Sequence, residues 1–195
     1  MSEPALPEKV LAVHAGLTAA RIAHAFGGAL ALAYYAEPRA TIDIDMNVFL
    51  TPSSWAAVET ALTPLGVAPL DGGVTQRDGQ CRTWWGDTPI DLFFAYDDIH
   101  AAMRRATRTM PFGKDRLPVL APEHLLVCKA TFDRPKDWLD IEQMAICVGD
   151  LDVDEIRSWL TRIVGSADPR MQRFEQIVAQ LIGKQMHSPD QPAPG

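Results

Sequence analysis

The sequence predicts an α/β protein whose first 120 residues alternate strands with helices and whose remainder, to about residue 186, is helical. Short runs rich in β-branched and aromatic residues, TIDIDMNVFL, QCRTWW and TPIDLFFAYD, are separated by stretches with apolar residues at helical spacing. From Pro122 onward only the helical period persists. The composition, 47% hydrophobic and 22% charged, is that of a folded globular chain, and 195 residues suit one domain, or one domain with a helical appendage.

The elements follow in order. Val10, Val13 and Leu17 predict a helix over 8–24, with a short strand at Ala25-Phe26. Gly27-Gly28 breaks the pattern. ALALAYYA then reads as a short helix that ends before Glu37-Pro38, because a residue preceding proline is pushed out of the helical region. TIDIDMNVFL is a strand. Thr51-Pro52-Ser53-Ser54 caps a helix through WAAVETALTPLG, which Gly66 terminates. Asp78-Gly79, between VTQR and QCRTWW, predicts a hairpin with a tight turn. TPIDLFFAYD is a further strand. Asp97-Asp98 ends it and caps a helix through HAAMRRA, and TRTMPF and RLPVL pair as short strands. Four helices follow: PEHLLVCKATF, PKDWLDIEQMAIC, VDEIRSWLTRIV and DPRMQRFEQIVAQLIGKQM. The final stretch, HSPDQPAPG (187–195), is polar and proline-rich and reads as a disordered tail.

Several function classes are disfavoured. A net charge of −7 argues against a broad, nonspecific nucleic-acid surface and leaves room only for a local basic groove. Cys81, Cys128 and Cys147 are odd in number, far apart and in no CxxC pair, so neither a disulfide framework nor a zinc knuckle is implied. With no signal-peptide pattern at the start and no apolar run near the roughly 18 residues a span requires, the expectation is a cytoplasmic protein without a membrane partner. The five histidines lack zinc-ligand spacing, and no HExxH, GxSxG or GxxxxGK[ST] motif occurs. Arg104, Arg105 and Arg108 could steer an RNA or simply solvate a helix end. Of Trp84 and Trp85, which face opposite ways on a strand, at most one could stack on a base, and core packing is expected of the other.

Chemistry concentrates in the first half. Aspartate is depleted in strands, yet Asp43 and Asp45 fall on one and point the same way, roughly 7 Å apart. Alone they fit a solvated edge strand as well as a metal site. Gly27-Gly28 is an ordinary turn or a backbone that a phosphate can approach, and Asp91 is a lone outward acid or a third ligand. Together they form a pattern: two glycines, an Asp-x-Asp strand fifteen residues after the second, then a third aspartate on an apolar strand. Three carboxylates on neighbouring strands suit one or two magnesium ions, which prefer oxygen ligands and complete their shells with substrate phosphates.

At these residues the sequence resembles the nucleotidyltransferase superfamily of polymerase beta-like fold, whose signature is Gly-Gly or Gly-Ser followed by Asp-x-Asp or Asp-x-Glu. Within it the chain is most similar to the AbiEii/AbiGii-toxin type, which reads like GGxAL and then RxTxDIDL. Here these stand as Gly27-Gly28-Ala29-Leu30 and Arg39-Ala40-Thr41-Ile42-Asp43-Ile44-Asp45-Met46. A second block, a proline-glutamate helix start, a lysine and a basic Asp-x-x-Asp segment, is matched by Pro122-Glu123, Lys129 and Arg134-Pro135-Lys136-Asp137-Trp138-Leu139-Asp140. The likeness covers roughly residues 20–145.

The resemblance implies an α/β (α+β) fold: a mixed sheet flanked by helices as the catalytic domain over 1–120, then a helical region over 121–186 that helps close the nucleotide cleft. It implies that Asp43, Asp45 and Asp91 are metal ligands, Asp91 also helping to deprotonate the acceptor, and that Lys129 is catalytic and contacts nucleotide phosphates. Gly27, Gly28, Arg39, Thr41 and Asp137 would bind nucleotide, with Arg39 alternatively pairing structurally with an acid. Helical spacing alone would make Asp137 and Asp140 a solvated face. The expected activity is magnesium-dependent transfer of a nucleoside monophosphate from a nucleoside triphosphate (NTP) to an acceptor hydroxyl, by a toxin of a toxin–antitoxin pair acting on RNA such as tRNA, with a cognate antitoxin as possible partner. The alternatives are modification of a small molecule such as an antibiotic, modification of a protein, or a degenerate module that binds nucleotide without catalysis.

Overall fold

The apolar alternation of the strand sequences assembles one mixed sheet in the first of two compact units, which divide between Ala121 and Pro122. The computed structural model describes residues 3–186, so the tail expected at 187–195 lies outside the described residues. The first unit runs α1 (Leu6–Ala19), β1 (His24–Phe26), α2 (Gly28–Leu32), β2 (Ile44–Val48), α3 (Trp55–Leu62), α4 (Gly72–Asp78), β3 (Gln80–Trp85), β4 (Thr88–Phe94), α5 (Asp98–Ala106), β5 (Arg108–Phe112) and β6 (Asp115–Val119). Six strands among the described residues lie in the order β3-β4-β2-β1-β6-β5. β2 runs parallel to β4 and β1 parallel to β6, while β1–β2, β3–β4 and β5–β6 are antiparallel.

Period-two alternation sets the faces. Ile44, Met46 and Val48 of β2, with Ile90, Leu92 and Phe94 of β4, are fully buried on the core side. Val10, Val13 and Leu17 of α1 are buried as their spacing predicts. After α3 a 3-10 turn over Thr63–Leu65 ends at Gly66, which sits at φ +87° where a side chain would be strained. Asp97 caps α5 by accepting a hydrogen bond from the Ile99 amide at 3.1 Å.

Two expectations need correction. The strand expected from Thr41 begins only at Ile44, which leaves Asp43 just ahead of the ladder and Ile42 exposed. The hairpin is not centred on Asp78-Gly79. Val74–Arg77 belong to α4, whose start is capped by the Asp71 carboxylate accepting from the Val74 amide at 2.9 Å, and Gly79 is its left-handed C-cap. A glycine at positive φ serves a helix end as readily as a hairpin, and here the aspartate eight residues earlier decides in favour of the helix. The hairpin joins β3 to β4 around Gly86-Asp87, with Gly86 at φ +58°.

The second unit consists of α6 (Pro122–Phe132), α7 (Pro135–Cys147), α8 (Val153–Val164) and α9 (Pro169–Met186), with α6 in contact with the other three. Trp138, Ile141, Ile156, Leu160 and Phe174 form its apolar interior. The Asp152 carboxylate caps α8 by accepting from the Glu155 amide at 2.8 Å. No helix among the described residues is long and apolar enough to cross a membrane.

Candidate active site

In the first unit the parallel register sets Asp45 of β2 directly opposite Asp91 of β4, so the two carboxylates rise from adjacent strands about 4.8 Å apart. Both are half-buried, as is Asp43, which leads into β2 and whose amide donates to the Thr41 hydroxyl at 3.2 Å. Arg39 lies half-buried in the same loop before β2.

The glycine pair borders this cluster. The Gly27 amide donates to the Asp45 carbonyl at 2.9 Å, which ties the β1–α2 turn to β2. Gly28 stands at φ +52°, and a Cβ there would fall 1.7 Å from Asp45 Oδ2. Only glycine satisfies both the backbone conformation and that approach. At five residues α2 has little dipole to offer a phosphate.

An unpredicted residue completes the cluster. Arg82 of β3 pairs in register with Asp91 and holds it bidentately, Nε donating to Oδ1 at 2.7 Å and one terminal nitrogen donating to Oδ2 at 2.6 Å. The hydrogen bonds to Asp91 hold the guanidinium even more firmly protonated than usual; partial burial opposes this, while the charges of Asp91, Asp43 and Asp45 reinforce it. Trp84, two residues along the same edge strand and 47% exposed, shares Arg82's face. Trp85 points the other way, with Lys9 set over its ring. Of the two tryptophans, Trp84 alone is displayed beside the acids.

The donor chemistry of the three carboxylates fits a hard divalent cation. The arrangement fits in part, because among the described residues no three His, Cys, Asp or Glu side chains converge as an ion would require, and both Asp91 oxygens face Arg82. Asp43 and Asp45 are the residues that would hold an ion first.

The second unit brings together the other expected residues. Lys129 of α6 is buried and donates to Asp140 Oδ2 at 2.6 Å, with Asp137 at 3.9 Å. Asp137 also accepts both branches of Arg134, at 2.6 and 3.1 Å. Asp137 and Asp140 are therefore not the solvated face that their spacing alone suggests, since both carboxylates are buried and engaged with cations.

Comparisons with known proteins give the family of the chain. The sequence profile of the family described as nucleotidyl transferase AbiEii toxin, type IV toxin–antitoxin system, matches residues 11–189. The chain belongs to the AbiEii nucleotidyltransferase family. It is thus an enzyme of the nucleotidyltransferase class and takes an NTP as substrate. No curated protein matches its sequence significantly. Among solved structures, the antibiotic-resistance factor ANT(2″)-Ia aligns with a TM-score of 0.57 at 14% identity, over 93% of this chain and 97% of that one. A putative nucleotidyltransferase from H. pylori aligns with a TM-score of 0.51 at 18% identity, over 95% of each chain. The lincosamide antibiotic adenylyltransferase LnuA aligns at 0.51 and 12% identity, over 70% of this chain and 94% of that one. At these identities the likeness is one of fold, and it agrees with the mixed sheet and flanking helices of this AbiEii chain.

Proposed function

We propose that this AbiEii nucleotidyltransferase is a magnesium-dependent cytoplasmic toxin that moves a nucleoside monophosphate from an NTP onto a hydroxyl of RNA, with a tRNA end as the acceptor and a cognate antitoxin as its partner. The observation that carries the site is the register of Asp45 against Asp91, beside a glycine turn that a side chain would close. An acceptor oxygen attacks the α-phosphorus, the bond to the β-phosphate's bridging oxygen breaks, and pyrophosphate leaves with that oxygen.

Each residue has a task in this reading. Asp43 and Asp45 would hold magnesium, which when bound supplies positive charge against the triphosphate and the leaving pyrophosphate. Asp91 receives the acceptor's proton. Gly27 and Gly28 leave room for a phosphate beside β2, while Arg39 and Thr41 steady the nucleotide from the preceding loop. Lys129 and Asp137 are assigned to nucleotide binding, with Lys129 keeping Asp140 as a partner through one of its three N–H donors. The family supports the toxin role, and the acidic balance of the chain favours a focused contact with one RNA end over general RNA binding.

Controlled expression in bacterial cells tests the proposal. Growth arrest that Asp43→Asn abolishes, together with extra nucleotides at tRNA 3′ ends, is the expected result. Arrest with unmodified RNA and a labelled small molecule or protein instead would overturn the RNA assignment and keep the enzyme class.

A further inference from the structure

We infer that Arg82 is a built-in counter-ion of the acid cluster, holding Asp91 until a divalent cation displaces it. The inference rests on the proposed metal-binding role of Asp43 and Asp45 and assigns Arg82 a positioning role that the family match does not supply. Arg82 and Asp91 are register partners of an antiparallel pair, so their proximity is set by the sheet itself, and directly opposed unlike charges stabilise such a pair. Both carboxylate oxygens are taken, at 2.7 and 2.6 Å. A cation that recruits Asp91 therefore has to share or remove at least one of those contacts.

Exposure indicates that the contact can be exchanged. The Arg82 side chain is 50% exposed and that of Asp91 18%, so a released guanidinium regains water without leaving a buried, unpaired charge. The Lys129–Asp140 pair, at 4% and 6%, has no such exit. Asp43 and Asp45 add their negative charge to that of Asp91 around Arg82, so the carboxylates that hold the guanidinium suit a divalent cation in its place. With Arg82 docked, like-charge repulsion among the acids is relieved. Once it is displaced, Asp91 regains an oxygen for the cation or for the acceptor's proton, and the planar fork becomes available to the phosphate groups of the substrates.

Thermal unfolding of the intact protein provides the test, with magnesium or manganese titrated after removal of divalent ions and no nucleotide present. Wild type, Arg82→Gln and Arg82→Lys are compared. Arg82→Gln is expected to melt lower without cation and to reach half of its cation-induced stabilisation at a concentration at least about fivefold lower, the size of an ordinary coupling between competing ligands. Arg82→Lys, which keeps the charge but loses the fork, is expected to fall between the two, and it carries the comparison if Arg82→Gln does not fold. Equal midpoints in all folded variants, or a higher one without Arg82, overturn the counter-ion role while the metal site stands. No cation response in any variant overturns the metal site and the counter-ion role together. A cation response that appears only without Arg82 supports the inference in its strongest form.

Discussion

The molecule contains two groups of aspartates paired with basic residues, and they differ in what surrounds them. In the second unit, Lys129, Asp137 and Asp140 are buried and engaged with one another and with Arg134. In the first, Asp43, Asp45 and Asp91 are half-buried and share the neighbourhood of Arg82, itself half-exposed. A buried, satisfied ion pair mainly penalises its own disruption. A half-exposed cluster of carboxylates, in which the counter-ion of Asp91 is itself half-exposed, is suited to accept a ligand. The difference teaches that the same side-chain chemistry becomes core or site according to burial.

The contrast can be broken most forcefully in the first group. Asp45→Asn keeps the shape of the side chain and removes its charge, and is expected to lower nucleotidyl transfer on the order of 10³-fold, which steady-state transfer by the folded variant checks. In the second group the balance reverses. Asp140→Ala leaves the Lys129 ammonium buried beside Asp137 alone and is expected to cost about 3–5 kcal/mol in denaturant unfolding. Lys129→Met sharpens this further: a nucleotide role predicts weaker NTP binding by the folded fraction, and a purely structural role predicts lower stability with binding unchanged. At the glycine turn, Gly28→Ala combines a positive φ with overlap on Asp45, so a loss of about 1–3 kcal/mol should come with a loss of transfer.

The smallest expected effect comes from pH. Burial withdraws His24 from protonation, opposed by its hydrogen bond to the Ile22 carbonyl and aided by His14, which burial lowers as well. His14 Nδ1 and His24 Nε2 lie 2.9 Å apart. Because the folded values lie below the unfolded one near 6.5, the unfolded chain takes up more protons in that window. Stability contributed by neutral histidine is therefore complete above pH 6.5 and falls as pH drops toward the lowered folded values. Melting temperature should decline from pH 7.5 to 5.5, and His24→Gln should flatten that slope.

Much of this was legible in the sequence. Helix starts at Pro122, Pro135 and Pro169 and the buried faces of α1 and β4 follow from local spacing and side-chain type, while the grouping of Gly27-Gly28 with Asp45 came from the motif as a whole. Arg82 did not, and the reason is specific. With the hairpin turn expected at Asp78-Gly79, QCRTWW pairs with the wrong neighbour. With the turn at Gly86-Asp87, counting three residues back from Trp85 and three on from Thr88 sets Arg82 opposite Asp91. The signal was present in that second glycine, but a capped helix and a hairpin compete for the same kind of residue. The burial of Asp137 and Asp140 was hidden for another reason: their partner Lys129 comes from a different helix, which spacing within α7 cannot reveal.

The measurement that tests the central claim most directly is label transfer from each of four α-labelled nucleoside triphosphates into a cell extract with magnesium, comparing wild type with Asp43→Asn plus Asp45→Asn. The account predicts that wild type alone labels a species in the RNA fraction, with at least one of the four nucleotides. Equal labelling by both proteins, or none by wild type with any nucleotide although nucleotide binds, would contradict the claim that these two aspartates run a nucleotidyl transfer.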